Sequence, residues 1–222
     1  MTTQTVAEEM LYSTVKLTTT KNGIVSGGGT GFFWRFDGAD GVIFPFIVTN
    51  KHVLHSGDQV HAVCHLATNN EPSGALVTCS MPTAAKDIVE HPDPAVDLCA
   101  IPFASIMQQA IDRASPIFLR FLGLDLIPAE DDWQNFDAIE DITMIGCPNG
   151  IFDQTNNLPI VRRGITATSL TKKYNGNDEF MIDMACFPGS SGSPVFIYDR
   201  NGYLDRKENA FHVGRSRLIL VG

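Results

Sequence analysis

The sequence predicts an all-β protein, because short strand-type runs recur along its whole length. Turn signals separate these runs at intervals of about 8–12 residues, a spacing typical of sandwiches and barrels rather than of alternating strands and helices. Asn-Gly occurs at 22–23, 149–150, 175–176 and 201–202, and both residues tolerate the positive φ that tight turns need. Helical periodicity is confined to ASIMQQAIDRA and, more weakly, to PAEDDWQNF.

The predicted strands follow one another with polar turns between them. The clearest hairpin joins GITATSLTKKY to EFMIDMAC through residues 175–178. GIVSGG, residues 23–28, is predicted to be a loop between strands because of its glycine content. The other predicted strands are LYSTVKLTT, GTGFFWRF, VIFPFIVT, QVHAVCHLA, ALVTCSM, DLCAIPF, DITMIGC, SPVFIY and RLILVG.

The predicted helix and the acidic stretch behind it interrupt the strand pattern near the middle of the chain. We therefore expect an N-terminal β-domain over residues 1–104 and a C-terminal β-domain over residues 139–222. Residues 105–138 are interpreted as a linker that contains the helix. A chain of 222 residues is long enough for this arrangement.

Charge and composition exclude several classes of function. The formal net charge of −9 argues against nucleic acids and membranes as partners, because anionic partners require clustered Lys and Arg. The sequence shows neither a secretory signal nor an apolar run of membrane-spanning length, so we expect a cytoplasmic protein. The five cysteines lack a CxxC pair and are expected to be buried, reduced thiols.

Three segments contain the residue types that nucleophilic catalysis requires. CFPGSSGSPVF presents Ser191, FIVTNKHV presents His52 in a turn after a strand, and HPDPAVDLCAIPF presents Asp97 at the start of a strand. A serine hydroxyl needs a base to take its proton and a carboxylate to orient that base. Gly189 and Ser191 are the expected donors of an oxyanion hole, because a glycine-rich turn can direct main-chain N–H groups at a developing charge.

These segments resemble a known family. TNKHV, DLCAI and PGSSGSPV, in that order, are similar to the catalytic signatures of chymotrypsin-fold (trypsin-like) serine peptidases, especially the disulfide-free bacterial branch. The resemblance extends to GTGFFW, to IGCPNG and to PIVRRGITA, and it covers most of residues 28–222. The family's Gly-x-Ser-Gly pattern falls on Gly189 to Gly192 and implies Ser191, rather than Ser190 or Ser193, as the nucleophile.

The resemblance implies two packed six-stranded antiparallel β-barrels of the chymotrypsin type. His52 and Asp97 are expected on the first barrel and Ser191 on the second. In the family, the segment after the strand ending LVG completes the cleft, so a chain ending at Gly222 is expected to be a fragment with an incomplete second barrel. Ser190 replaces the Asp that pairs with a new N-terminus in secreted relatives, which argues against activation by that route.

The resemblance also implies a function and a substrate pocket. We expect a serine endopeptidase that forms an acyl-enzyme, as a regulated intracellular domain of a larger protein that has a regulatory domain or partner. Ala185, Cys186, Phe187 and Pro188 are the expected pocket residues, and Ala185 at the floor favours small or apolar side chains. The alternative is a catalytically silent domain that binds peptides or proteins.

Other chemistries fit the sequence less well. His52, His55, His61, Cys64 and His65 are zinc-ligand types, but His61 and Cys64 are expected on opposite faces of a strand, so no metal is predicted. GGGTGF lacks the Lys-Ser/Thr of a phosphate loop, so no nucleotide cofactor is predicted either. An α/β-hydrolase requires a histidine well after the nucleophile, and the sequence places only His212 there.

Overall fold

The computed structural model describes residues 4–84 and 86–222, and most of their regular structure is β-strand, which confirms the all-β prediction. The chain divides into two compact units. The first consists of the chain as far as Gly123 with Ile145–Ile160 and Phe187–Ser193; the second consists of Leu124–Met144, Val161–Cys186 and Pro194–Gly222. The domain boundaries expected from the sequence stay a prediction.

One antiparallel sheet forms the first unit. Its order is β5-β4-β1-β2-β3-β7-β6, with β8 paired to β4, so this path of hydrogen bonds is open in the described part of the chain. The strand count and the open path differ from the six-stranded closed barrel that the resemblance implies. The strands are β1 Thr14–Lys21, β2 Ile24–Asp37, β3 Ile43–Thr49, β4 Gln59–Thr68, β5 Glu71–Pro82, β6 Val89–Glu90, β7 Cys99–Pro102 and β8 Ile117–Phe118.

Alternation along the central strands builds the core of this unit. In β4, residues at every second position are buried, which places Val60, Ala62 and Cys64 on the inner face. Leu17, Ile47 and Phe103 lie in the same apolar cluster and are almost inaccessible to solvent. Four of the five free cysteines are buried, as expected, whereas Cys186 is exposed.

All of the glycine-rich segment GIVSGG after Gly23 belongs to strand β2, so the predicted loop is wrong. The hairpin between β1 and β2 turns at Asn22 and Gly23, and Thr18 then pairs with Gly28. A Cβ atom at Gly28 would lie 2.5 Å from the carbonyl oxygen of Leu17. Glycine therefore lets the two strands lie close together here.

Three α-helices are formed by the described residues. The helix α3, Ala104–Asp112, confirms the predicted helix. The helices α1, Val6–Tyr12, and α2, Lys51–His55, were not predicted, because each is too short to show a helical period. The acidic stretch forms a 3₁₀ helix, Glu130–Asn135, and three single-turn 3₁₀ helices lie at Ala39–Gly41, Leu124–Leu126 and Pro148–Gly150.

The second sheet has the order β11-β10-β9-β12-β15 and is also open. Phe196 and Ile197, on the strand between β9 and β15, are inaccessible to solvent. The predicted hairpin is confirmed by the pairing of Thr166 with Ile182, although its second strand, Ile182–Asp183, has only two residues. The strands are β9 Asp141–Gly146, β10 Ile160–Thr166, β11 Ile182–Asp183, β12 Val195–Asp199 and β15 Arg217–Leu220, with a separate hairpin of β13 Gly202–Asp205 and β14 Ala210–Val213.

None of the helices among the described residues combines the length and the apolar composition that crossing a membrane requires.

We predict that Ile47→Ala destabilises the protein much more than Ile43→Ala, although both residues lie on β3. Ile47 is 0% exposed and Ile43 is 45% exposed. Truncating the buried side chain leaves a cavity and costs about 2–5 kcal/mol of unfolding free energy, whereas the exposed one costs less than about 1 kcal/mol. Urea unfolding followed by tryptophan fluorescence measures both, and equal losses would contradict the assigned core.

Candidate active site

His52 lies at the beginning of helix α2, directly after strand β3. Asn50 is the N-cap residue with extended backbone angles, and the helix begins at Lys51. The first main-chain N–H groups of a helix have no partner within it. The N–H of His52 accordingly donates to Asp97 Oδ1 at 3.1 Å. The predicted turn that presents His52 is therefore a short helix.

Asp97 lies on an exposed segment that we name the acid loop, residues 91–98. Strand β7 begins at Cys99, so Asp97 precedes the strand rather than opening it. Its Oδ2 forms a hydrogen bond with Nδ1 of His52. A carboxylate at Nδ1 keeps that nitrogen protonated and leaves Nε2 as the basic nitrogen of the ring.

The same contacts set the acidity of Asp97. Burial by itself raises the pKa of Asp97. Hydrogen bonds from the side chain and main chain of His52, the charge of His52 and the main-chain N–H of Lys51 outweigh burial and bring the pKa below its ordinary value. Asp97 is therefore ionised at neutral pH and able to orient an imidazole.

Ser191 lies in a tight turn that we name the nucleophile loop, residues 187–193. Gly189 and Gly192 have φ values of +88° and +82°, which only glycine adopts without strain. The N–H of Ser190 donates to the carbonyl of Phe187 at 3.0 Å, and the N–H of Ser193 donates to the carbonyl of Ser190 at 2.9 Å. The loop therefore consists of two successive turns, and Ser191 lies within the second.

The peptide bond between Pro188 and Gly189 has a defined direction. The carbonyl of Pro188 accepts a hydrogen bond from the main-chain N–H of Asn149. In a trans peptide the C=O and the following N–H point to opposite sides. The N–H of Gly189 thus points away from Asn149, as an oxyanion donor must.

Thr30 of strand β2 binds the nucleophile loop through both its main chain and its side chain. Its N–H donates to the carbonyl of Ser191 at 2.8 Å, and its hydroxyl donates to the carbonyl of Gly189 at 2.9 Å. The same hydroxyl accepts the N–H of Cys147 at 2.9 Å. Thr30 is fully buried, so these bonds are not exposed to competition from water.

Gly29 brings the loop and helix α2 to the same place. A Cβ atom at Gly29 would lie 2.7 Å from the Val53 side chain and 3.0 Å from the carbonyl oxygen of Ser191. Val53 follows His52, so the nucleophile and the base flank one strand. Within the described residues, however, no hydrogen bond joins Ser191 Oγ to His52, and such bonds are often long in free enzymes.

The four expected pocket residues are all exposed. Ala185 and Cys186 belong to the second unit, and Phe187 and Pro188 belong to the first. The carbonyl of Ala185 accepts a hydrogen bond from Arg162 Nη1 at 3.0 Å. The guanidinium group of Arg162 therefore lies beside the expected pocket floor. The identity of Ala185 alone does not predict this positive charge.

The histidines considered as metal ligands have separate hydrogen-bond partners. His55 contacts Glu90 at 3.2 Å, His61 contacts Ser80 at 2.8 Å, and His65 contacts the carbonyl of Asn157 at 3.2 Å. Cys64 points to the opposite face of β4, as expected. In the described part of the chain, the ligand types that converge are Asp205, Glu208 and His212, an ion-pair group on the hairpin of β13 and β14.

The sequence matches one family model over residues 29–204, a range that includes His52, Asp97 and Ser191. The model describes a trypsin-like peptidase domain. The chain belongs to this family. Membership in the trypsin-like peptidase family confirms the resemblance and the chymotrypsin-type fold, and the free cysteines of the described structure agree with a disulfide-free member. No curated protein sequence matches the chain.

Three solved structures are similar to this trypsin-like domain. A serine-to-alanine variant of the HtrA-type protease AlgW with a tripeptide is 19% identical with a TM-score of 0.47, and the match covers 96% of this chain and 57% of AlgW. The inactive form of a serine-to-alanine variant of Rv3671c from M. tuberculosis H37Rv is 16% identical, with a TM-score of 0.46 and coverages of 97% and 83%. A serine endoprotease from Yersinia pestis is 16% identical, with a TM-score of 0.45 and coverages of 90% and 59%.

Four residues around the site of the trypsin-like domain were not identified from the sequence. Thr30, Asn50, Lys51 and Asn149 act through hydrogen bonds to the nucleophile loop or the acid loop. Each lies in a segment that the resemblance had singled out. Their contacts span separate strands and loops, however, and no local pattern reveals such partners.

We predict that Gly192→Ala destabilises the trypsin-like domain more than Gly23→Ala. Both glycines have positive φ, so each alanine suffers a left-handed strain of about 1–2 kcal/mol. A Cβ atom at Gly192 also overlaps the carbonyl oxygen of Thr30, whereas one at Gly23 has no atom within 4 Å. Urea unfolding midpoints test this difference, and equal losses would show that the nucleophile loop does not fit tightly against β2.

We also predict that the stability contributed by Asp97 depends on pH. Because its folded-state pKa is lowered, this contribution is present above the pKa of the unfolded carboxyl and is lost as the pH falls through the folded value. The unfolding free energy of Asp97→Asn should therefore differ most from that of the parent near neutral pH and converge with it in acid. The difference is small, because both side chains are about half exposed. Urea titrations at a series of pH values measure it, and a constant difference would contradict the contact between the ionised carboxylate and His52.

Proposed function

We propose that this chain is a serine endopeptidase that hydrolyses peptide bonds through an acyl-enzyme. The observation that carries the proposal is the double contact between His52 and Asp97, in which one carboxylate oxygen accepts from the ring and the other from the main-chain N–H. Two contacts fix both the tautomer and the direction of the ring, which are the roles of the acid in a catalytic triad. Membership in the trypsin-like peptidase family supports the same assignment.

In the proposed mechanism, Ser191 attacks the carbonyl carbon of the scissile peptide. His52 Nε2 takes the hydroxyl proton during the attack and then donates it to the leaving amine. Water next attacks the acyl-enzyme with His52 again as the base, and the second product is released as a carboxylic acid. Throughout, Asp97 remains ionised and stabilises the imidazolium.

The proposed oxyanion hole consists of the main-chain N–H groups of Gly189 and Ser191. The hydrogen bond between Asn149 and the Pro188 carbonyl supports this, because it turns the Gly189 N–H toward the opposite side. The two Thr30 hydrogen bonds support it as well, because they fix the carbonyls of Gly189 and Ser191. Donors fixed before the reaction stabilise a developing charge without reorganisation.

The proposed substrates are proteins or peptides, and the proposed pocket is formed by Ala185, Cys186, Phe187 and Pro188. Ala185 favours small or apolar substrate side chains.

We further propose that the chain works as a regulated intracellular domain of a larger protein. Ser190 supports this idea, since it cannot form the ion pair with a new N-terminus that activates secreted relatives.

The alternative is a silent member of the family that binds peptides without cleaving them. One observation favours it: in the described structure, Ser191 Oγ has no hydrogen bond to His52. A hydroxyl without a base is a poor nucleophile.

A fluorophosphonate serine-hydrolase probe tests the proposal. Such a probe reacts only with a serine that a base has activated, so we expect stoichiometric labelling by intact mass that Ser191→Ala abolishes. Ser73→Ala is the matched control and keeps the label, because Ser73 is exposed on β5 and its hydroxyl accepts a hydrogen bond from the nearby main-chain N–H of Ala75. Labelling that survives in Ser191→Ala would refute the assigned nucleophile. The alternative predicts that the parent protein stays unlabelled and binds peptides as tightly as Ser191→Ala does. That result would establish a silent family member that binds peptides without cleaving them.

A further inference from the structure

Lys51 is a buried lysine directly before the proposed base. It is 9% exposed, and the other buried polar side chains among the described residues belong to serine and threonine. Burying an ammonium group costs much free energy unless acceptors replace its water. Packing alone therefore does not explain why a lysine, rather than an apolar residue, is buried at position 51.

The acceptors that replace water around Lys51 come from the acid loop. Nζ of Lys51 donates to the main-chain carbonyl of His91 at 3.0 Å and to that of Asp93 at 3.3 Å. These carbonyls lie six and four residues before Asp97, respectively. The buried charge thus binds the main chain of the segment that supplies the proposed acid.

The acid loop has little other attachment to the core. Seven of its eight residues are exposed, and Val96 is half-buried. Its internal hydrogen bonds close it on itself: the N–H of His91 donates to the carbonyl of Leu98 at 2.8 Å, and the N–H of Val96 donates to that of Asp93 at 3.1 Å. Such bonds shape a loop but do not fix where it lies on the protein.

Helix α2 supplies the missing attachment through three consecutive residues. The side-chain amide of Asn50 donates to the main-chain carbonyl of Asp97, Lys51 binds the first half of the loop, and His52 binds the carboxylate. Lys51 contacts neither Ser191 nor the proposed oxyanion donors in the described structure. The contacts of its ammonium group are with the acid loop, so the direct route from that group to the reaction is the segment that carries Asp97.

We infer that Lys51 is a positioning residue that fixes the acid loop so that Asp97 meets Nδ1 of His52, an inference that rests on the proposed function. Without its ammonium group, the carbonyls of His91 and Asp93 turn to water, and the loop is held by its base, by Asn50 and by the solvent-exposed contacts of His52 with Asp97. Asp97 then samples positions away from the ring. The imidazole loses its fixed tautomer and direction while the rest of the first unit stays folded.

The test compares Lys51→Met with Lys16→Met. Methionine keeps the unbranched shape and the apolar part of lysine and removes the ammonium group. Lys16 lies on β1 of the same unit, where its Nζ is 4.3 Å from the centre of the Phe152 ring, so its replacement controls for the loss of a cation. If Lys51→Met does not fold, Lys51→Gln carries the same test, because its shorter neutral amide also removes the buried charge.

Two readouts are needed. The first is the NMR signal of the His52 Nδ1 proton, which shifts far downfield when it is bonded to a carboxylate and requires no catalysis. The second is the rate of labelling by the fluorophosphonate probe. We expect the proton signal to be lost in Lys51→Met and kept in Lys16→Met, and the labelling rate of Lys51→Met to fall on the order of 10- to 100-fold, as for a group displaced by about 1 Å.

A double variant shows whether the effect passes through Asp97. In an Asp97→Ala background, adding Lys51→Met should cause no further loss of labelling, since residues that act through one contact are not additive. A Lys51→Met protein that keeps both the proton signal and the parent rate would overturn the inference, and so would a full additional loss in the double variant. If the parent is never labelled but its Nδ1 proton signal depends on Lys51, the proposed function fails and the positioning role stands.

Discussion

The hydroxyl and main chain of Thr30 form the set of hydrogen bonds on which the candidate site depends. Thr30 reaches Gly189, Ser191 and Cys147, and its own carbonyl accepts the hydroxyl of Thr49 from the next strand. A turn as tight as the nucleophile loop exposes several main-chain groups that no sheet partner satisfies. One buried threonine satisfies two of these carbonyls and joins the turn to β2. The placement of Ser191 is therefore a property of the first unit's sheet.

The proposed base and acid differ from Thr30 in their exposure to solvent. Their side chains are about half exposed, and an ion pair in contact with water contributes little free energy by itself. The pair therefore cannot hold the acid loop in place by its own attraction. Neighbouring donors do so instead: the amide of Asn50 and the ammonium of Lys51 bind main-chain carbonyls of the loop. The exposed acid loop is thus held in position by hydrogen bonds from Asn50 and from the buried Lys51.

The sequence predicts what repeats locally and misses what depends on distant partners. Strand alternation, the helix α3 and the hairpin near Gly176 follow from periodicity and turn residues, and the three catalytic signatures follow from short motifs. Helix α2 is missed because five residues are too few for a helical period, although an N-capping Asn precedes it. The strand character of residues 24–28 is missed because glycine normally weakens strands, and here the close approach of Leu17 requires it. The capping box of Thr5 and Glu8 was a readable signal for helix α1.

The buried position of Thr30 has a consequence for how motion in the site can be followed. Its amide proton is bonded to Ser191, and the amide proton of Cys147 is bonded to its hydroxyl. The Thr30 proton cannot exchange with deuterium until the nucleophile loop separates from β2, and the Cys147 proton cannot exchange until its own bond to the Thr30 hydroxyl opens. The exchange rate of the Thr30 amide therefore reports openings of the loop, and that of the Cys147 amide reports openings of the Thr30 side chain. They report on the site in the resting protein, without substrate or inhibitor.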